Sequence, residues 1–302
     1  MIVGVNLRNF GPLAHRDAVL AVALAAEELG YASLWTSDHV VLPTDMTSLS
    51  DPADDHYDPT GALLESLVTL AFVAGRTSTI RLGTSVLVLP QRELHLMAKQ
   101  VATLHHLSGE RLLLGVGVGW VEREYALVGA DYAHRGEVAD EHLVALRTLL
   151  ETTPPVHHGR RHDFDDVLFA PRPVVGIPLL VGGDSPPALR RAARYGDGWH
   201  AYGLSPAEIE AGLATIRQHG ARSDFEVSLR IRTRLDPAPP AGGGDVGALL
   251  EGSTAQVVDA IGRYEQAGVA HLVVDLGTPD PASYVEQLEA FAADVVPQLS
   301  PG

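Results

Sequence analysis

The sequence predicts a single-domain (β/α)8 barrel, the TIM-barrel class of α/β fold, with loop insertions, over residues 1–302. Three observations lead there. Short β-branched runs alternate with amphipathic stretches from one end of the chain to the other. Those runs are almost continuously apolar, as strands covered on both faces must be. Eight of them can be counted, each followed by a helical stretch, and no linker-like segment divides the chain. A doubly wound open sheet is the competing arrangement of the same elements.

The elements follow in order. Residues 2–7 read as a strand and 17–29 as a helix, closed by Gly30 as a left-handed cap. A second strand, 31–37, leads into a long polar loop, 38–61. Then come helix 62–74, strand 80–89, helix 94–107 and strand 111–118. Helical stretches 121–128 and 138–151 precede an irregular segment, 157–170, with the look of a small hairpin. The second half repeats the rhythm with strand 177–181, helix 187–195, strand 198–202, helix 206–219 and strand 225–235. Residues 236–247, rich in Pro and Gly, read as a loop. Ser253 and Gln256 have capping-box spacing ahead of helix 255–267, and strand 271–276 and helix 282–296 complete the chain.

Composition narrows the function. Hydrophobic residues make up 46% of the chain, enough for a large core, and Gly 30 with Pro 20 is too little for a low-complexity chain. The net charge of −16, without a basic run, removes the driving force for nucleic acid or anionic membranes. No cysteine is present, so disulfides, thiolate nucleophiles and cysteine metal sites are excluded. The apolar run 19–26 is far short of the ~18 residues that span a bilayer. The opening residues lack the basic and apolar stretches of a signal peptide, so a cytoplasmic location is expected.

In such a barrel, ligands bind where strands end and βα loops begin. That rule selects Asn6, the Ser37-Asp38-His39 segment, Thr84 and Ser85, and the run Gly117-Val118-Gly119-Trp120. It also selects Gly182-Gly183-Asp184-Ser185, then Trp199, His200, Tyr202 and Asp275. His39 is placed for proton transfer or cofactor contact, because an imidazole at a strand end can change charge near neutral pH. It could equally hold the following loop by hydrogen bonding. Asp38 reads as an orienting or capping carboxylate more than as a base.

The glycines from 115 to 119 do not make a dinucleotide fingerprint, since the third glycine of that pattern would fall at Trp120 or Glu122. They do allow backbone amides to approach a ligand, usually a phosphate. The Gly182-Gly183 turn is the stronger anion candidate, with Ser185 as N-cap of the next helix; a plain βα turn is the alternative. His157, His158 and His162 lack an acidic ligand at helical spacing and suit a solvated hairpin better than a metal site. The acidic run 54–58 lacks calcium-loop spacing and reads as solvated cover. No metalloprotease, α/β-hydrolase or P-loop motif occurs.

Taken together, the segments 34–39, 82–86, 98–104, 107–109 and 115–120 resemble the luciferase-like flavin and deazaflavin oxidoreductases. So do Arg135-Gly136 with Asp140-Glu141, the stretch from Val181 to Arg194, and Gly196 to Trp199. The resemblance covers nearly the whole chain, and Ser37-Asp38-His39 looks like the branch that uses coenzyme F420. It implies an enzyme: an F420-dependent oxidoreductase passing hydride between the deazaflavin and a small organic substrate. An FMN-dependent monooxygenase using reduced flavin and O2 is the alternative, and a cofactor-binding barrel without turnover a second one.

The resemblance further implies that Ser37, Asp38 and His39 lie near the reactive edge of the ring, with His39 and Asp38 as the catalytic pair. A non-proline cis peptide at Ser85-Val86, beside Thr84, would back the ring. Backbone near Gly117, Val118, Gly119 and Trp120, and near Gly182, Gly183 and Ser185, would hold the phosphate end. A homodimer packed through outer helices is also implied. Two departures matter. The glutamate that follows the fourth-strand glycines in the sugar-phosphate dehydrogenases of this branch is Trp120 here. Their tryptophan beyond the Asp-His pair is absent from Val40-Val41-Leu42-Pro43, so a sugar phosphate is not implied.

Overall fold

The computed structural model describes residues 1–43, 62–235, 249–277 and 280–299. Parallel strands and outer helices alternate in it. The chain runs β1 (Ile2–Asn6), α1 (Arg16–Glu28), β2 (Ser33–Thr36), α2 (Ser66–Ala74), β3 (Arg81–Thr84), β4 (Leu87–Val88) and α3 (Leu94–Leu107). It continues through β5 (Leu112–Gly117), α4 (Glu122–Val128), α5 (Arg135–Glu151), β6 (His157–His158), β7 (Asp163–Phe164), β8 (Leu179–Gly182) and α6 (Pro186–Tyr195). Last come β9 (Gly198–Tyr202), α7 (Pro206–Gln218), β10 (Glu226–Leu235), β11 (Leu249–Gly252), α8 (Thr254–Gln266), β12 (His271–Leu276) and α9 (Pro281–Asp294).

The strands close in the order β1, β2, β3, β5, β8, β9, β10, β12. Closure is at β1, where Asn6 lies opposite Trp35 of β2 and Ile2 opposite His271 of β12. This is the (β/α)8 barrel, not the open sheet. The outer helices present apolar residues at helical spacing, as Val19, Val22, Ala23 and Ala26 do in α1. No helix among the described residues is long and apolar enough to cross a membrane.

The barrel interior is filled around one indole. Trp35 is fully buried, and a Cβ on Gly83 would stand 2.4 Å from its ring. Only glycine allows that approach. His200 stacks on Trp35 at 4.6 Å, and His271 meets its edge at 5.5 Å. Trp35 Nε1 donates to Ser33 Oγ at 2.7 Å, and that hydroxyl lies 2.8 Å from His271 Nε2. This layer closes the floor beneath the C-terminal mouth, so the barrel is a cup rather than a pore.

Some element boundaries differ from the sequence expectation for local reasons. The helix expected from residue 62 begins at Ser66, because Asn9 Nδ2 donates to the carbonyls of Leu64 and Ser37 and holds the preceding residues extended. The strand expected over 80–89 is interrupted at Ser85–Val86, whose peptide is cis, as the resemblance implies. A short strand not expected from sequence, β11, pairs in parallel with the outer end of β10. The segment 157–170 does contain a hairpin, β6 against β7. The acidic run 54–58 and the loop 236–247 lie outside the described residues.

Candidate active site

His39 emerges from the end of β2 with its Nδ1 3.0 Å from Glu124 Oε2. The other oxygen of Glu124 accepts the amides of Val40 at 2.6 Å and Val41 at 3.2 Å. Glu124 is 1% exposed and His39 about a fifth exposed (side chain 22%). Burial pushes the Glu124 pKa up, but the hydrogen bonds from His39 and the Val40 amide outweigh it and hold the group below the ordinary carboxylate value. An ionised Glu124 accepts from Nδ1–H, which leaves Nε2 as the nitrogen available for proton exchange. Trp120 stands edge-on to the imidazole at 6.3 Å.

The carboxylate beside the imidazole is thus Glu124 and not its sequence neighbour Asp38. Both oxygens of Asp38 lie 2.7 Å from the Arg92 guanidinium, and Oδ2 also accepts the Val88 amide at 2.8 Å. Burial raises the Asp38 pKa against the pull of Arg92 and the Val88 amide, and the net direction is upward. With this bidentate clamp, Asp38 ties the end of β2 to β4 and offers no oxygen for proton transfer.

A second network spans the mouth. Asp275 is held by Arg8, with Nε to Oδ1 at 3.0 Å, and by Arg230, with Nη2 to Oδ2 at 2.7 Å. Arg230 Nη1 donates to Ser37 Oγ at 2.8 Å. Burial works against the Arg230 charge, but Asp275 more than compensates and its pKa is raised. Ser85 Oγ lies 2.7 Å from His200 Nε2, and His200 Nδ1 lies 2.7 Å from Ser228 Oγ. Burial, with Arg230 nearby, pushes the His200 pKa down to about 3, so its imidazole is neutral. Ser228 Oγ also reaches the Trp199 carbonyl at 3.4 Å. The bonds then run from Ser85 to His200 to Ser228, and Ser85 faces the mouth as an acceptor.

The glycines leave room for neighbouring atoms of the barrel. Val86 projects over them: a Cβ on Gly117 would stand 2.5 Å from Val86 Cγ2, and one on Gly182 2.9 Å from Cγ1. Gly115 is closed against the Thr84 carbonyl at 1.9 Å. Thr84 is itself buried, its hydroxyl donating to the Gly115 carbonyl at 2.6 Å, so it braces β3 against β5. The Val118 carbonyl accepts the Tyr125 hydroxyl. Gly119 has φ +63°, which turns the chain so that Trp120 is left 44% exposed.

The turn after β8 is a poorer anion site than its sequence suggested. Ser185 does cap α6, but Pro186 and Pro187 occupy its first turn and carry no N–H. The Ala188 amide is taken by Ser185 Oγ at 3.4 Å. Gly183, at φ +96°, has its carbonyl bound by Trp199 Nε1 at 2.8 Å. Any anion here must rely on the amides of 183–185 rather than on the helix end.

The description "luciferase-like monooxygenase" belongs to the family whose sequence profile matches residues 8–241. The chain belongs to this family. An uncharacterized protein of Mycobacterium tuberculosis is 30% identical over 300 residues, covering 93% of this chain and 95% of the relative. Among solved structures, an F420-dependent secondary alcohol dehydrogenase in complex with an F420-acetone adduct superposes with TM-score 0.81, at 17% identity and 99% coverage of both chains. A monooxygenase from Streptomyces bottropensis gives TM-score 0.80 at 18% identity, covering 99% of this chain and 100% of that one. At such identities the two structures speak to the fold of this luciferase-like chain.

Within this luciferase-like barrel the structure brings Ser37, His39, Ser85, Val86, Trp120, Arg230 and Asp275 to one mouth, and adds partners that sequence reasoning missed. Glu124 sits two residues inside α4, where an acidic side chain also suits the helix N-terminus. An acid on the buried face of an otherwise amphipathic stretch was the only signal. Arg92, Arg230 and Arg8 carried none, since each depends on a carboxylate far away in sequence.

Proposed function

We propose that this chain is an F420-dependent oxidoreductase that passes hydride between the deazaflavin and a small organic substrate at the barrel mouth. The observation that carries the reading is the His39–Glu124 pair at the rim together with an apolar rest formed by Val86. A flat heterocycle needs an apolar face on one side and hydrogen-bonding atoms at its edge. Val86, bedded on Gly115, Gly117 and Gly182, supplies the face, and Ser85 supplies an acceptor. The amides of Gly183 and its neighbours are left for a phosphate. The residues present therefore fit the coenzyme, which when bound supplies a carbon centre that donates and accepts hydride and reacts poorly with oxygen.

The chain's own residues do the rest. His39 Nε2 holds or releases one proton, and Glu124 stabilises the imidazolium while its backbone contacts fix the rim. Neutral His200 keeps a second charge away from the centre of the mouth. Arg92 and Asp38 keep the end of β2 in place, which fixes the direction of His39. The F420-dependent likeness of the barrel supports this reading. The family's description as monooxygenase supports the alternative, an FMN-dependent monooxygenase. Anaerobic mixing with reduced F420 and a panel of small alcohols, ketones and activated alkenes, followed by deazaflavin absorbance, tests the choice. Hydride transfer without oxygen supports the F420 reading; activity only with reduced FMN and oxygen overturns it.

A further inference from the structure

Three buried polar atoms at the end of β1 and just past it have no hydrogen-bond partner among the described residues: Asn6 Nδ2, Asn6 Oδ1 and Arg8 Nη2. Such groups are unfavourable when left unmet. Asn6 is fully buried and the Arg8 side chain is 10% exposed. Their direction follows from the strand. A Cβ on Gly4 would point at Ser33 Oγ, His271 Nε2 and Trp35 Nε1, which line the barrel interior. Side chains alternate along a strand, so Asn6 faces the same interior one layer nearer the mouth. Arg8, beyond the end of β1, reaches inward to Asp275.

The placement around the barrel is also informative. Val86 packs on β5 and β8, and β12 stands four strands round the barrel from β5. A flat ligand resting on Val86 therefore turns its other face to the wall of β1, β12 and β10. That wall carries Asn6, Arg8, Arg230 and Asp275. Arg8 and Arg230 carry positive charge on either side of Asp275, which favours an anion at this wall.

We infer that Asn6 and Arg8 form a subsite for a carboxylate, and that the substrate of this barrel is a small carboxylic acid bound as its anion. Arg8 Nη2 donates to one carboxylate oxygen and Asn6 Nδ2 to the same group, while Asn6 Oδ1 is left for a hydroxyl of the substrate or a bridging water. Arg230 and Asp275 set the direction of Arg8. The inference rests on the barrel mouth being the active site, but not on which coenzyme occupies it.

The test uses the protein without coenzyme. Sodium hexanoate and hexanamide, matched in size, are titrated by calorimetry at neutral pH. Hexanoate is expected to bind at least tenfold more tightly than hexanamide, and Arg8→Met to remove that preference. Asn6→Leu is expected to weaken hexanoate at least fivefold without lowering the apo unfolding temperature, because an unmet amide is replaced by an apolar group of similar size. Equal binding of hexanoate and hexanamide by the native protein overturns the inference, whatever the variants do. So does Asn6→Leu with intact hexanoate binding and a lowered unfolding temperature, which marks the amide as the anchor of a structural water. A repeat with saturating F420 or FMN separates the sources of the carboxylate: retained hexanoate binding supports a substrate site, and simple competition assigns the subsite to the coenzyme. Failure of either coenzyme to bind leaves the apo titration standing, so the two readings fail separately.

Discussion

Glu124 and His39 are 85 positions apart in sequence and hydrogen-bonded at 3.0 Å in the structure. The same carboxylate receives the amides of Val40 and Val41. One buried side chain thereby sets both the tautomer of the imidazole and the path of the chain that follows it.

Removing the imidazole should strike chemistry more than binding. A positioned acid or base contributes ~10²–10⁴ in rate. His39→Ala is expected to slow single-turnover hydride transfer by about 100-fold or more, with at most a modest loss of F420 affinity. A variant that keeps near-full rate but binds coenzyme poorly would make His39 a cofactor clamp.

Two substitutions at Glu124 separate its duties. Glu124→Gln keeps an acceptor for the Val40 amide but loses the charge facing His39, so the rate should fall about tenfold or more with a small change in stability. Glu124→Ala also strands two amides and should cost ~1–3 kcal/mol, read by chemical denaturation. Equal rates for the Gln variant and the native protein would confine Glu124 to a structural role.

The bed beneath Val86 can be tested without any ligand. Gly117→Ala places a methyl 2.5 Å from Val86 Cγ2 and should lower the unfolding temperature. Val86→Ala in the same chain should recover most of that loss, a coupling that thermal unfolding of the two single variants and the double variant measures. Independent, additive losses would mean that Val86 does not lie on Gly117.

The buried histidines predict how stability depends on pH. Burial lowers the pKa of His142 to about 4, with His162 adding to the effect, and burial lowers His200 and His271 to about 3. Each is neutral when folded and takes up a proton on unfolding below its unfolded pKa of about 6.5. Their contribution is complete above that value and is lost as pH falls towards the folded values, at up to about 1.4 kcal/mol per pH unit for each group. Denaturant midpoints at pH 7, 6 and 5 should therefore fall in that order. A flat profile would show that these imidazoles are not held neutral.

The barrel was legible in the sequence because its strands, buried on both faces, write themselves as apolar runs, and several, such as 198–202 and 271–276, have the expected bounds. What periodicity cannot show is pairing between distant residues. Asp38 sits next to His39 in sequence, yet its partner is Arg92. The glycines of 115–119 and 182–183 read as ligand cradles, and periodicity could not show that three of them, Gly115, Gly117 and Gly182, also make room for a side chain and a carbonyl of the same barrel, Val86 and Thr84. Pro186 and Pro187 follow Ser185 directly, and their missing N–H groups weaken this helix end as an anion site, a point that the capping pattern alone did not bring out.

Quenching of tryptophan fluorescence by F420, measured beside FMN, decides which coenzyme the mouth holds. Trp120 lies partly exposed beside His39 and reports on the mouth. F420 is expected to bind in the micromolar range or tighter, and FMN at least about tenfold more weakly, a gap of roughly 1.4 kcal/mol. Equal or tighter binding of FMN would contradict it and place the chain with the flavin monooxygenases.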